Sequence, residues 1–164
     1  MIKSGKLARK MTVVAAVCLC TTATVIGYLK LASADPEYGL FEPDNRKVVS
    51  RGEIIYSDNC ASCHGANLEG EENWRQRKPD GRLPAPPHDE TGHTWHHPDQ
   101  QLFDITKYGL ANLSGLSDYE SDMPVYEDVL SDDEIIAVLS YIKSQWPREI
   151  RERHDEMNRR LAVN

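Results

Sequence analysis

One stretch of six residues limits what this chain can fold into more than any other. It reads CASCHG, which places Cys60 and Cys63 three positions apart and His64 directly after the second cysteine. The chain has 164 residues and only 4 cysteines. The other two, Cys18 and Cys20, lie in an uncharged N-terminal stretch and are interpreted as small apolar residues of a helix. The two thiols of CASCHG therefore have no further cysteine partner in the body of the chain.

Three kinds of site use two cysteines at this spacing. A disulfide between Cys60 and Cys63 is possible in an oxidising compartment, but a thioredoxin-like redox site requires a βαβ setting that this sequence lacks. Structural zinc requires four ligands, and no second cysteine pair is available to complete them. The pattern Cys-x-x-Cys-His also attaches haem, because each thiol can add to one vinyl group and the histidine can then bind the iron. We favour this last interpretation.

If one haem is bound in this way, His64 is one ligand of the iron and a second ligand has to be found. Met123 precedes Pro124 in a loop between two predicted helices, where a side chain can be directed inward. A methionine in such a place also commonly fills a gap in the core. The other candidates for the second ligand are His88, His93, His96, His97 and His154. The residues alone leave this choice open.

A helix leads into the motif and a second helix follows it. Gly52, Tyr56 and Cys60 recur every fourth residue, as on one face of a helix, and we expect this helix to begin near Val48. Gly52 would permit a partner helix to approach closely, because it has no side chain. Another helix is expected after Pro98, since proline is favoured at the first helical position.

The C-terminal part of the sequence predicts the partner helix. Ser131 and Glu134 have the spacing of a capping box at its start, and Pro147 ends it. Between them, five apolar residues share one helical face and are expected to pack in the core: Ile135, Val138, Leu139, Ile142 and Trp146. No stretch of the sequence has the pattern of a strand.

The N-terminal residues have the pattern of a targeting segment. Residues 1–10 are basic, and residues 11–29 carry no charge and would span about 28 Å as a helix, close to the thickness of a bilayer core. The basic end is expected to stay in the cytoplasm, so that the rest of the chain lies outside. A signal peptidase could cut after Ala34. We favour an uncut single-pass anchor, because the apolar run is long and Lys30 flanks it.

The body of the chain is acidic. All 26 acidic residues follow Ala34, whereas the 19 basic residues are divided between the N-terminus and the body. Such a surface repels the phosphates of nucleic acid and favours protein partners with basic docking surfaces. The predicted organisation is a basic segment at 1–10, a hydrophobic helix at 11–29, a linker at 30–47, a folded domain at 48–147 and a charged tail at 148–164.

These features together resemble a known family. The spacing of Gly52, Tyr56 and the CASCHG motif, the Met123-Pro124 pair and a C-terminal helix with Tyr141 and Trp146 look like a class I c-type cytochrome domain over about residues 48–147. The stretches LPAPPHDETGHTWHHPDQQLF and LSDDEIIAVLSYIKSQWP are similar to those of small bacterial monohaem cytochromes with an N-terminal anchor. The resemblance implies an all-α cytochrome c fold, in which the N- and C-terminal helices cross around one covalently bound haem.

The resemblance also implies roles for particular residues. Cys60 and Cys63 would hold haem c, His64 would be the proximal ligand of its iron and Met123 the distal one. With both positions filled, the protein would carry single electrons between a donor complex and a terminal acceptor of a respiratory chain, on the periplasmic side of the cytoplasmic membrane. It would have redox partner proteins but no nucleic acid and no small-molecule substrate. Two alternatives remain, a haem relay subunit of a larger oxidoreductase and a five-coordinate haem enzyme or gas sensor.

The long loop at 66–95 would then surround the haem. A ligating histidine usually donates its other N–H to a carbonyl, and the resemblance implies that a carbonyl in the proline-rich part of this loop is the acceptor. The candidate acceptors are Pro84, Pro86 and Pro87. The candidate partners of the haem propionates are Trp74, Trp95, Arg75, Arg77 and Arg82. A copper or zinc site is a further hypothesis for His88, His93, His96 and His97, although hydrogen bonding within the loop is the simpler role for these histidines.

Overall fold

A computed structural model describes residues 39–110 and 120–163 of the chain. Within these ranges the structure is helical and contains no strand, in agreement with the predicted all-α class. The helices are α1 (Arg46–Asn59), α2 (Ala61–His64), α3 (Asp99–Tyr108), α4 (Asp132–Ser144) and α5 (Arg148–Ala162), with a 3-10 helix at Thr94–His96. None of the described helices is long and apolar enough to cross a membrane. The predicted hydrophobic helix at 11–29 and the cleavage site after Ala34 lie outside the described residues.

The main helix pair of the fold is α1 against α4, the two helices predicted to meet. α1 begins after Asn45, whose side-chain oxygen accepts the backbone N–H of Lys47 at 3.2 Å. Gly52 lies in the contact with α4, and a Cβ there would collide with the carbonyl of Ala137 and lie 2.9 Å from the Cβ of Tyr141. The predicted role of Gly52 is therefore confirmed: the two backbones approach too closely for any side chain.

α4 meets Gly52 through Ala137 and Tyr141, which are not members of its predicted apolar stripe. The stripe itself lies in the core. All five predicted residues are buried: Ile135, Val138, Leu139, Ile142 and Trp146. The predicted capping box is present, because the carboxylate of Glu134 accepts the backbone N–H of Ser131 at 2.9 Å and its hydroxyl at 2.8 Å. These hydrogen bonds hold the pKa of Glu134 below its usual value. The cap thus fixes where α4 starts, and the stripe fixes which side of it is buried in the core.

Both flanks of the predicted domain pack against it. Phe41, within the predicted linker, has only 2% of its surface exposed, and His154 in the predicted tail is completely buried on α5. One carboxylate joins the two flanks. Asp99 Oδ2 accepts the backbone N–H of Leu40 at 2.7 Å, and Asp99 Oδ1 accepts the side-chain amide of Asn158 at 3.0 Å. Polar contacts of Asp99 therefore tie residues before α1 and after α4 into one fold.

The buried ammonium of Lys143 accompanies this carboxylate. Lys143 Nζ lies 3.7 Å from Asp99 Oδ1 and 2.7 Å from Asp155 Oδ1. His154 Nε2 donates to the backbone carbonyl of His97 at 2.9 Å. Burial, followed by the charge of Lys143, lowers the pKa of His154, so its ring is neutral at neutral pH. From the sequence alone, the charged residues of such a buried network cannot be distinguished from charged residues on the surface.

Candidate functional site

The CASCHG stretch forms the junction of α1 and α2. Cys60 follows the last residue of α1, and His64 is the last residue of α2. The backbone N–H of His64 donates to the carbonyl of Cys60 at 2.9 Å, so the first cysteine and the histidine lie one helical turn apart. Gly65 then leaves the helix with a φ of +82°, a conformation that favours glycine. The motif is therefore one helical turn with a glycine at its end.

Both cysteines of this turn are free thiols, Cys60 partly buried and Cys63 exposed. Burial, followed by the nearby Cys63, raises the pKa of Cys60 to about 11, so its thiol is protonated at neutral pH. Zinc binds thiolates and needs further ligands close by. Among the described residues, no three His, Cys, Asp or Glu side chains are grouped to hold a metal ion. Neither the zinc nor the disulfide interpretation finds support in this geometry.

His64 is buried and held by a carbonyl of the proline-rich loop. Its Nδ1 lies 2.8 Å from the carbonyl oxygen of Pro86. A carbonyl oxygen only accepts, so Nδ1 carries the hydrogen and Nε2 keeps its lone pair. Burial lowers the pKa of His64, although the hydrogen bond to Pro86 acts in the opposite direction. The structure thus selects Pro86 among the three candidate acceptors and presents a neutral imidazole, which is the form that binds a metal.

His88 lies beside His64 rather than opposite to it. The two rings are stacked, with centroids 4.0 Å apart and planes inclined by 22°. Two axial ligands of one iron would instead point their nitrogens at each other from opposite sides of the metal. This face-to-face geometry removes His88 from the candidates for the second ligand.

Met123 lies in a segment that is fastened to the CASCHG turn. Its side chain is partly buried against the core. Three residues later, the hydroxyl of Tyr126 donates to the backbone carbonyl of Asn59 at 2.8 Å. Burial, followed by the thiols of Cys60 and Cys63, raises the pKa of Tyr126 to about 12. The fold therefore holds the methionine segment against the motif, as its predicted role requires.

Ion pairs hold the start of the same segment. Asp122 accepts a hydrogen bond from Arg82 at 2.6 Å and lies 3.6 Å from Lys78 Nζ. Arg82 also lies 3.6 Å from the carboxylate of Glu120. Arg82 was a candidate partner of a propionate, and here it pairs with protein carboxylates. Because these side chains are substantially exposed, the pairs restrict the segment without adding much stability.

The remaining histidines of the loop are engaged in aromatic contacts. His93 stacks on Trp74 with centroids 5.2 Å apart, and His96 stacks on Trp95 at 3.7 Å. His97 meets His93 edge to face at 5.3 Å. The side chains do not converge on one point, and the described residues contain no metal-binding group of three. The copper or zinc hypothesis for this cluster has no geometric support.

Trp95 provides a test of whether a haem would fit this site. Its indole Nε1 is buried and has no hydrogen-bond partner among the protein groups. A buried indole N–H normally has an acceptor, and a carboxylate of a cofactor would supply one. The environment of Trp95 therefore fits the predicted propionate contact. Of the other candidates, Arg75 lies over the ring of Trp74 at 4.0 Å, and Arg77 donates to the carbonyl of Gly81 at 2.6 Å.

Sequence reasoning missed two side chains that brace the histidine side of the site. The hydroxyl of Tyr56 donates to the backbone carbonyl of Gly65 at 2.9 Å, directly after the motif. The indole of Trp146 donates to the backbone carbonyl of His88 at 2.7 Å. The spacing of four between Tyr56 and Cys60 placed the tyrosine one helical turn before the motif, but its acceptor depends on how the chain turns at Gly65.

Comparison with known protein families gives one match. The family model described as Cytochrome c matches residues 49–146, which is more than half of the chain. The match extends from α1 to the end of the apolar stripe on α4 and includes Cys60, Cys63, His64 and Met123. No curated protein and no solved structure matches the chain significantly.

Proposed function

Because this chain belongs to the cytochrome c family and carries covalently bound haem c, we propose that it is a monohaem electron carrier whose haem is attached through Cys60 and Cys63. His64 and Met123 would be the two protein ligands of its iron. The haem would supply the one-electron chemistry, and the polypeptide would hold it and exclude substrates from the metal. The protein is then an electron carrier rather than an enzyme.

The observation that carries the proposal is the state of His64. The hydrogen bond of 2.8 Å to Pro86 fixes the hydrogen on Nδ1 and leaves the lone pair on Nε2. A structural core histidine can make the same hydrogen bond, as His154 does with the carbonyl of His97. What distinguishes His64 is this hydrogen bond together with its place directly after two free thiols. A ligating histidine does need it, because the hydrogen bond sets both the ring orientation and the basicity of the ligand.

The support for Met123 is the position of its segment. Tyr126 fastens the segment to Asn59, the residue before the first cysteine. A thioether ligand donates weakly to ferric iron, so it favours the ferrous state and raises the reduction potential. A haem ligated by histidine and methionine suits transfer of one electron, because nothing has to bind or leave.

We further propose that the partners are redox proteins with basic docking surfaces. The chain carries 26 acidic against 19 basic residues. Exposed carboxylates follow Met123 closely, at Glu127 and Asp128, and two exposed apolar side chains lie among them, Val125 at 46% and Val129 at 61% exposure. An apolar contact with an acidic border suits a partner of opposite charge that docks briefly.

The proposed place of action is the outer face of a bacterial cytoplasmic membrane, between a donor complex and a terminal acceptor of a respiratory chain. The support is the uncharged stretch at 11–29 behind a basic end, which the positive-inside rule orients with the body outside. An uncut anchor would confine the carrier to the surface where its partners lie and so raise their effective concentration.

The test is a carbon monoxide difference spectrum of the reduced, full-length holoprotein at neutral pH. We expect no spectral change in the wild type, because Met123 occupies the position that the gas would take. Met123→Leu should bind carbon monoxide, whereas the matched control Met157→Leu on α5 should not. A clear change in the wild type would refute Met123 as a ligand and favour the five-coordinate enzyme or sensor.

A further inference from the structure

We propose that His88 is a positioning residue for the proximal ligand and that it holds the plane of the His64 imidazole by stacking against its face. This inference rests on the proposed function, because it assigns a role relative to a ligated iron. His88 would not touch the haem chemistry itself. It would act through His64, by restricting rotation of that ring about its bond to the rest of the side chain.

Two contacts together define the orientation of the His64 ring. The Pro86 carbonyl, 2.8 Å from Nδ1, holds one edge of the ring. The ring of His88, with its centroid 4.0 Å away and its plane inclined by 22°, covers one face. A hydrogen bond at one edge still permits the ring to rock about that bond, whereas a flat neighbour on the face opposes this movement. Both contacts come from the three-residue stretch Pro86-Pro87-His88, so one piece of chain positions the ligand.

His88 is itself held from several directions, as a positioning group has to be. Its backbone N–H donates to the carbonyl of Leu68 at 2.8 Å, and its own carbonyl accepts the indole N–H of Trp146 at 2.7 Å. Its ring nitrogen Nδ1 lies 2.8 Å from the hydroxyl oxygen of Thr94. These three partners belong to the loop after α2, the residues following α4 and the 3-10 helix. The stack is therefore supported by three separate parts of the fold.

The hydrogen bond between His88 and Thr94 has a defined direction. The hydroxyl of Thr94 also lies 3.4 Å from the carbonyl of Pro87, so it can donate there and accept from Nδ1 of His88. In this arrangement every polar contact of the ring has one donor and one acceptor.

If His88 fixes the plane of the His64 ring, measurable properties of the haem should depend on it, which is not expected of a side chain that only packs. The orientation of an axial imidazole sets the asymmetry of the electron distribution on a ferric haem, which electron paramagnetic resonance reports through its g values. Tilting the ring would also lengthen the hydrogen bond from Nδ1–H to the Pro86 carbonyl. A longer hydrogen bond lowers the basicity of the ligand and so shifts the reduction potential. A residue that only filled space would change stability and leave both quantities unchanged.

The experiment compares two substitutions of His88 in the full-length holoprotein. His88→Phe keeps a flat ring against His64 but loses the hydrogen bond to Thr94. His88→Asn keeps a donor near the position of Nδ1 but loses most of the ring face. We expect His88→Asn to change the ferric g values and to shift the midpoint potential. His88→Phe should stay close to the wild type in both measurements.

The matched control is His154→Asn, the same substitution at a buried histidine that makes no ring contact with His64. It should lower the unfolding midpoint and leave the g values and the potential unchanged. If His88→Asn does not fold, Thr94→Val removes only the hydroxyl that restrains the His88 ring, and a smaller change in the same two quantities is expected.

The possible results separate this inference from the proposed function. A wild-type protein without covalently attached haem would refute the proposed function before any variant is compared. A normal holoprotein in which His88→Asn, or Thr94→Val in its place, keeps the wild-type g values and potential would overturn only the role of His88. The same holds if His88→Phe shifts both quantities as much as His88→Asn does, because the ring face would then not be what matters.

Discussion

The histidine side and the methionine side of the site are built differently. His64 is buried, with its edge held by the Pro86 carbonyl and its face covered by His88. The segment around Met123 is held by the hydroxyl of Tyr126 and, at its start, by the exposed ion pair between Arg82 and Asp122. The histidine side depends on buried contacts of short range. Part of the methionine side depends on interactions between exposed charges, which water and salt weaken.

This difference indicates which of the two proposed ligands the polypeptide prepares in advance. The proximal ring has a defined plane and tautomer from protein contacts alone. The methionine segment is fastened through Tyr126, whose hydroxyl donates to Asn59 and whose backbone N–H donates to the carbonyl of Thr106 at 3.3 Å. Its other attachments are exposed ion pairs, so disturbances there should open the metal without unfolding the domain. Disturbances of the proximal side should instead cost stability, because its supports are also part of the core.

The largest loss of stability is expected from a substitution on the histidine side, at Gly70. Its φ is +68°, and a Cβ there would collide with the nitrogen of Pro87 and lie 2.7 Å from the carbonyl carbon of Pro86. Gly70→Ala thus combines backbone strain with displacement of the segment that carries the acceptor of His64. We expect it to lower the free energy of unfolding by about 3 kcal/mol. Guanidinium unfolding of the holoprotein measures this loss.

Gly81→Ala is the matched control for this substitution. Gly81 has a similar φ of +88°, but a Cβ there would have no atom within 4 Å. Only the strain of the left-handed conformation remains, which costs about 1 kcal/mol. If the two variants were equally stable, the Pro86 segment would tolerate displacement, and the proximal side could no longer be regarded as the rigid one.

Two tyrosines test the difference between the histidine side and the methionine side more sharply, at a smaller cost in stability than Gly70→Ala. Tyr126 donates to the carbonyl of Asn59 on the methionine side, and Tyr56 donates to the carbonyl of Gly65 on the histidine side. Replacing either by Phe removes one hydrogen bond, at a cost of about 1–2 kcal/mol. The Gly65 carbonyl still accepts the backbone N–H of Leu68 at 3.3 Å in the Tyr56 variant. We expect Tyr126→Phe, but not Tyr56→Phe, to let the reduced holoprotein bind carbon monoxide measurably.

The measurement is the amplitude of the carbon monoxide difference spectrum for the two variants at equal haem concentration. The unfolding midpoints provide the control, since similar midpoints show that the two hydroxyls contribute similarly to stability. Gas binding by both variants, or by neither, would contradict the view that the two sides differ in how firmly their ligand is held.

The local parts of this architecture could be predicted from the sequence. CASCHG is contiguous, so its helical turn needs no long-range information. The capping box of Ser131 and Glu134 and the apolar stripe of α4 follow from spacing alone. The close approach at Gly52 followed from the same helical periodicity, because the residue lies on the face that points towards the partner helix.

The parts that could not be predicted depend on the path of the chain between distant residues. Pro84, Pro86 and Pro87 were equivalent in the sequence, and only the course of the loop over 22 residues decides that Pro86 meets His64. The contacts of Asp99 with Leu40 and Asn158 are also long-range. Charged and amide side chains usually face water, so their pattern gave no sign that this carboxylate is buried.

The smallest effect is expected from single charges near Met123, and it tests whether the methionine side is where partners dock. Glu127→Gln removes one exposed carboxylate there, whereas Glu149→Gln removes one from α5 with the same change in net charge. We expect Glu127→Gln to slow oxidation of the reduced holoprotein by a small cationic complex about twofold at low salt, since one unit charge at about 10 Å has roughly that effect in water. An anionic oxidant should react slightly faster, and about 0.15 M salt should remove most of both differences.

Stopped-flow rates provide the measurement. Equal slowing by Glu149→Gln would mean that the acidic body as a whole attracts the cation, and docking could then no longer be assigned to the methionine side.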